Sequence, residues 1–211
     1  MKKIVVVLVF LFIPGFTYAG ISDTLDSIEG KGQAKVATEV PTAKEGGLRK
    51  IGIFTGFLDE RMKHEHDNRG VSLLVSLGYD ARPFFSKVGI STKGYLDFVL
   101  EPFFNVITSP SDEFEVGSNF LVEYDFPLTD WFQPYIKGGL GLIYMSQETK
   151  EQGTQWNFLP QGSVGFHWSL KDNIAFSCEY RHRHLSNASI KHPNKGIDAK
   201  MYLAGITFFF E

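Results

Sequence analysis

Three side chains near the C-terminus have the types and spacing that ester hydrolysis requires: His184, Ser186 and Asp198. A serine hydroxyl is a poor nucleophile until a neighbouring imidazole takes its proton. A carboxylate then fixes the imidazole tautomer and stabilises its charged form. On a strand, residues two apart project from one face with Cβ atoms roughly 6.6 Å apart, a gap that side chains can close. The competing, plainer reading is that His184 and Ser186 end a strand at the level of lipid headgroups, where polar residues are ordinary. The choice depends on what kind of element carries them.

The 211 residues carry a net charge of -3, with 43% hydrophobic and 15% aromatic residues, which suits one domain and argues against nucleic acid as a partner. Lys2 and Lys3, the apolar run Ile4 to Ile13 and the small-residue site near Thr17-Tyr18-Ala19 predict an export signal over residues 1–19. Ten apolar residues are too few for the ~20 that span a bilayer as a helix. Residues 20–47 are polar and unpatterned, a linker or periplasmic segment, and a barrel is expected over 48–211. Cys178 is the only cysteine, which excludes an intramolecular disulfide and an all-cysteine metal site.

After that segment, the chain alternates with period two in eight stretches. The first is weak, with Ile51, Ile53 and Phe57 on one parity, and the second clean, with Val71, Leu73, Val75, Leu77 and Tyr79 opposing Ser72, Ser76 and Asp80. The third sets Leu96, Phe98, Leu100, Phe104 and Val106 against Asp97, Glu101 and Asn105, and the fourth sets Val116, Phe120, Val122 and Tyr124 against Glu115, Asn119, Glu123 and Asp125. The fifth runs near Pro134 to Tyr144 and the sixth near Trp156 to Trp168. The seventh opposes Ile174, Phe176, Cys178 and Tyr180 to Ser177, Glu179, Arg181 and Arg183, and the eighth ends the chain with Tyr202, Ala204, Ile206, Phe208 and Phe210.

A soluble sandwich also alternates, but its apolar parity faces a core and few long aromatics lie outside. Here the strand number is even, the segments approach the ~9–11 residues of a tilted membrane-spanning strand, and the polar parity bears both signs of charge. Aromatics gather near the segment ends, including Phe84, Phe85, Trp131, Phe132, Tyr144, Trp156 and Trp168, as in interfacial girdles. The prediction is an all-β, eight-stranded antiparallel transmembrane β-barrel in the bacterial outer membrane. Pro102 and Pro160 interrupt it, because a closed barrel has no edge to absorb a missing N–H, and a bulge is expected at each.

In such a barrel His184 and Ser186 share the parity of Phe176 and Tyr180, and Asp198 shares that of Tyr202 and Ile206. All three therefore point toward lipid near the outer ends of neighbouring strands. Ionisable groups there are functional candidates by default.

The stretch His184-x-Ser186-Asn187-Ala188, then Pro193-Asn194-x-Gly196, then Asp198 resembles the active-site region of the PagL-type lipid A deacylase family. Pro134-Tyr135-Ile136-Lys137-Gly138-Gly139-Leu140-Gly141 and Trp156-Asn157-Phe158 are also similar. The resemblance implies an eight-stranded outer-membrane barrel with its site on the outer wall. It implies Ser186 as nucleophile, His184 as general base and later acid, and Asp198 as orienting carboxylate. Asn194 and the backbone N–H near Ser189 would be oxyanion donors, with Asn187 beside them to position the substrate. Two positions depart from the family pattern: Asp198 replaces a usual Glu, one methylene shorter, and Ser189 stands where Gly is expected. The implied reaction is removal of the ester-linked 3-position acyl chain of lipid A as a 3-hydroxy fatty acid, with no metal or cofactor. Lipopolysaccharide in the outer leaflet would be the partner, and the reading leaves room for a homodimer.

Two other functions share this pattern: a noncatalytic small barrel serving adhesion or envelope integrity, and an acyltransferase barrel. Three further motifs receive structural readings. His64-Glu65-His66-Asp67 is a solvated exterior loop rather than a metal site, Gly138-Gly139-x-Gly141 serves barrel curvature rather than phosphate binding, and Lys137, Arg181 and Arg183 pair with glutamates in the lumen.

Overall fold

Strict alternation of large apolar with polar residues suits strands that face lipid on one side and a filled lumen on the other, and the protein closes on itself accordingly. A computed structural model describes residues 47–210; the expected export signal and almost all of the polar N-terminal segment lie outside them. The strands are β1 (Leu48–Arg61), β2 (Asn68–Asp80), β3 (Tyr95–Ser109), β4 (Glu113–Asp125), β5 (Phe132–Met145), β6 (Trp156–Lys171), β7 (Ile174–Leu185) and β8 (Ile197–Phe209). They form a closed barrel in sequence order, each antiparallel to its neighbours, with β8 returning to β1.

The first segment, weak by pattern, is a full strand, and a short helix that periodicity missed, α1 (Arg82–Lys87), follows β2. Pro83 sits in its first turn, where a missing N–H costs nothing, and Asp80 accepts from the Arg82 N–H at 3.0 Å. The rings near the segment ends cluster, with Trp131 5.3 Å from Trp168 and Tyr144 5.4 Å from Trp156.

No bulge forms at Pro102 or Pro160. Register shifts occur between Leu48 and Lys50, Arg69 and Gly70, and Ser169 and Lys171. Each proline instead keeps register and directs its missing N–H to a gap in one ladder. The β2–β3 pairing lacks the rungs between Leu74↔Phe103 and Leu77↔Leu100, and the β6–β7 pairing breaks between Gln161↔Arg183 and the isolated Phe158↔Ser186 bridge. The second gap lies beside His184.

The lumen is filled in two zones. One holds charges: Lys137 Nζ lies 2.8 Å from Glu101, 2.9 Å from Glu123 and 3.1 Å from Glu179, and Arg181 lies 2.8 Å from Glu101. Arg49 and Lys50, which alternation did not single out, join it through Asp97, Glu123 and Asp125. The other is an apolar core of Leu58, Ile107, Ile143, Leu159, Leu185, Ile197 and Met201 at the end that carries the β7–β8 link. There the strands are apolar on both faces, so parity alone conceals it. Arg183 joins the zones, 2.7 Å from Glu60 and 2.6 Å from Glu115 and 2% exposed. Arg183→Ala strands both carboxylates and is expected to destabilise the barrel by about 3–5 kcal/mol. Urea titration of the folded form in micelles reads this as a lowered midpoint.

Candidate active site

At the end of β7 the chain sends Arg181, Arg183 and Leu185 inward and His182 and His184 outward. Across the ladder, His184 is partnered by Asp198, His182 by Lys200 and Tyr180 by Tyr202, three successive outward pairs on β7 and β8. His184 Nδ1 lies 2.7 Å from Asp198 Oδ1, with the two side chains 44% and 52% exposed on the barrel wall. The Asp carboxylate therefore reaches the imidazole despite being one methylene shorter than a Glu, because the register sets the two Cα atoms directly opposite.

Ser186 continues the strand by one outward position. Its N–H donates to Phe158 O at 3.0 Å and its carbonyl accepts from the Phe158 N–H at 2.7 Å. The hydroxyl donates to Asn194 Oδ1 at 3.2 Å and accepts from the Ala188 N–H at 3.2 Å. Among the described residues no hydrogen bond joins Ser186 to His184. Asn194 Oδ1 also accepts from the Asn187 N–H at 3.1 Å, which fixes its amide with oxygen toward the serine. Its Nδ2 group faces Ser189 Oγ at 3.4 Å. Asn187 is turned into the loop, fully buried, donating to Lys191 O at 2.7 Å and Pro193 O at 3.2 Å. It closes the β7–β8 link rather than facing the wall.

Ala188 and Ser189 both adopt left-handed backbone, with φ of 52° and 63°. A glycine at 189 would take this conformation without strain, whereas Ser and Ala cost of order 1 kcal/mol each. Gly196, at φ 71°, packs against the imidazole: a Cβ there would lie 2.4 Å from His184 Cε1 and 2.8 Å from Nε2. Gly196→Ala therefore adds backbone strain and pushes the ring aside. With His184 as the expected base, it should lower kcat at least about tenfold through misplacement of the imidazole, checked by steady-state kinetics beside a circular dichroism spectrum that stays β-rich.

Two other loops hold this one in place, which sequence reasoning missed because loop residues carry no periodicity. Glu151, between β5 and β6, is completely buried, and its carboxylate accepts from the Lys63 N–H at 2.8 Å and the His64 N–H at 2.6 Å. His64 Nδ1 lies 3.2 Å from the same oxygen. Burial pushes this carboxyl up, but those hydrogen bonds from His64 and Lys63 prevail and hold it below the ordinary glutamate value. The Glu151 carbonyl accepts from the Lys195 N–H at 2.9 Å, and the Gly153 N–H donates to Pro193 O. Two further side chains of the 64–67 tetrad make loop contacts: Glu65 accepts from the Lys150 N–H and Asp67 from the Met62 N–H.

Among the described residues one cluster has the makings of a metal centre, Glu123, Asp125 and His167, with donor atoms within 4.8 Å of one another. It lies in the lumen, away from His184, and both carboxylates already hold the Lys50 ammonium, which takes the place of a cation there.

A family model described as lipid A 3-O-deacylase (PagL) matches residues 68–207. Solved structures similar to this one include the outer membrane enzyme PagL, at TM-score 0.57 and 19% identity over 74% of this chain and 97% of that one. Neisserial surface protein A (NspA) is similar at TM-score 0.58 and 16% identity over 76% of this chain and 96% of that one. No curated protein matches the sequence at a significant level. At these identities the structures speak for the barrel fold, and the family match bears on the chemistry.

Proposed function

The chain belongs to the lipid A 3-O-deacylase (PagL) family of outer-membrane lipid A deacylases, and from that premise we propose that it is a serine esterase that hydrolyses the 3-position acyl ester of lipid A. The observation that carries this reading is the His184–Asp198 pair, 2.7 Å apart on the outer wall with Ser186 two residues along the same face. Charged groups facing lipid are costly, and their pairing here suits catalysis better than stability.

With Nδ1–H donated to Asp198, the imidazole Nε2 is left as the proton acceptor. Rotation of Ser186 about its Cα–Cβ bond exchanges the Asn194 acceptor for Nε2, a contact that tightens when substrate is bound. Ser186 Oγ then attacks the ester carbonyl carbon while its proton passes to His184. The resulting oxyanion is met by the backbone N–H near Ser189 and by Asn194 Nδ2, the amide nitrogen that lies beside Ser189 Oγ. Collapse expels the sugar 3-oxygen, which takes the proton back from His184. Water, deprotonated by His184, attacks the acyl-serine, and the departing Ser186 Oγ takes that proton back from His184, which releases the 3-hydroxy fatty acid and restores the free serine. Since the substrate shares the membrane, it reaches a wall site by lateral diffusion, and no deep pocket is required.

The test is mass spectrometry of lipid A incubated with the purified protein in mixed micelles. Loss of one 3-linked acyl chain with equimolar free 3-hydroxy fatty acid is expected. Transfer of label to or from phospholipid would indicate an acyltransferase, and unaltered lipid A would favour the noncatalytic barrel.

A further inference from the structure

Directly across from Asp198, on the side away from His184, stands Arg61 at the end of β1. One outward position along β8 is Lys200, flanked by Asp59 on β1 and His182 on β7. Arg61 and Lys200 share the outward face of Asp198, with Phe57, Tyr180 and Tyr202 next along the wall. That arrangement sets cations just above an aromatic floor, at the level where apolar wall gives way to headgroups.

The carboxylates of the patch are engaged, Asp59 by Arg69 at 3.6 Å and Asp198 by His184 at 2.7 Å. Among the described residues the Arg61 and Lys200 side chains form no ion pair and no hydrogen bond. By contrast, the lumen cations Arg49, Lys50, Lys137, Arg181 and Arg183 all touch carboxylates. Unpaired positive charge on the lipid-facing wall is unfavourable unless something anionic arrives from the membrane.

We propose that Arg61 and Lys200 form a subsite for a phosphate carried by the glycolipid substrate. The inference rests on the deacylase reading, since it is the adjacency to His184 and Ser186 that makes a headgroup contact useful. Arg61 offers a planar fork to phosphate oxygens, and Lys200 a point charge on a stem that lies along the apolar wall. Together they hold the sugar at one depth and rotation, so that the ester carbonyl meets Ser186 rather than sliding past it.

The experiment is binding of the full-length Ser186→Ala protein, in micelles of a zwitterionic detergent, to lipid A and to lipid A stripped of its phosphates. The phosphorylated form is expected to bind about tenfold more tightly, a preference that shrinks with salt. Adding Arg61→Gln and Lys200→Gln together should bring the ratio close to one, whereas Lys87→Gln, at α1, should leave it intact. A preference that is absent from the parent, or that survives the double substitution, overturns the subsite. Loss of the preference in millimolar inorganic phosphate would assign the site to free anion rather than headgroup and would also overturn it. Because this assay reads binding, its failure is separable from that of the deacylase reading, which fails if the wild-type protein leaves lipid A unaltered or passes the acyl chain to phospholipid.

Discussion

Ser186→Ala is expected to reduce deacylation by at least about 10⁴-fold, to the level left by substrate binding and oxyanion contacts alone. The hydroxyl is part-buried and its two partners, Asn194 Oδ1 and the Ala188 N–H, belong to its own loop. Alanine therefore removes the proposed nucleophile while leaving the β7–β8 register and the His184–Asp198 contact in place. The measurement is the initial rate of fatty acid release, with heat-modifiable gel mobility to show the barrel folded. Release within tenfold of wild type from a folded variant would exclude a serine mechanism at this site.

Asp198→Asn should cost about 10³-fold in kcat with little change in KM. An amide set against His184 Nδ1 can present its NH2 group, which turns the imidazole to the tautomer that carries its proton on Nε2, where it cannot accept from serine. The loss is smaller than for a buried triad because Asp198 is half-exposed and water partly replaces it. Asp198→Glu restores the carboxylate one methylene longer and is expected to recover most of the rate. The alternative, a carboxylate that serves only to bind, would raise KM and leave kcat unchanged, so the split between the two constants decides. Equal activity of the wild type and the Asn variant would remove Asp198 from the mechanism.

The outward direction of the three candidate groups was legible in the chain alone, because strand side chains alternate with a period of two and an odd or even count decides the face. His184 follows Phe176 and Tyr180, and Asp198 precedes Tyr202, with no irregularity between them. The eight strands, the lumen charges and the membrane class follow from the same local rule. Arg181 and Arg183 were readable as lumen residues by parity, although which glutamates they meet was not.

What only the tertiary structure decided is everything that depends on register or on chain returning from elsewhere. That His184 meets Asp198 is a property of β7–β8 pairing, which is set by a long irregular link whose path has no periodicity. The same holds for Gly196 seated on the imidazole, Asn187 folded inward, and Glu151 tying the loop from a segment more than thirty residues away. Pro160 shows the contrast most plainly. Its missing N–H was visible in the sequence, but a closed barrel could answer it by a bulge or by a lost rung, and cooperative pairing along the full strand favoured the lost rung. Alternation is a local property of the backbone, so one chain suffices to read it. Contact between strands is a global one, selected by all eight ladders closing at once.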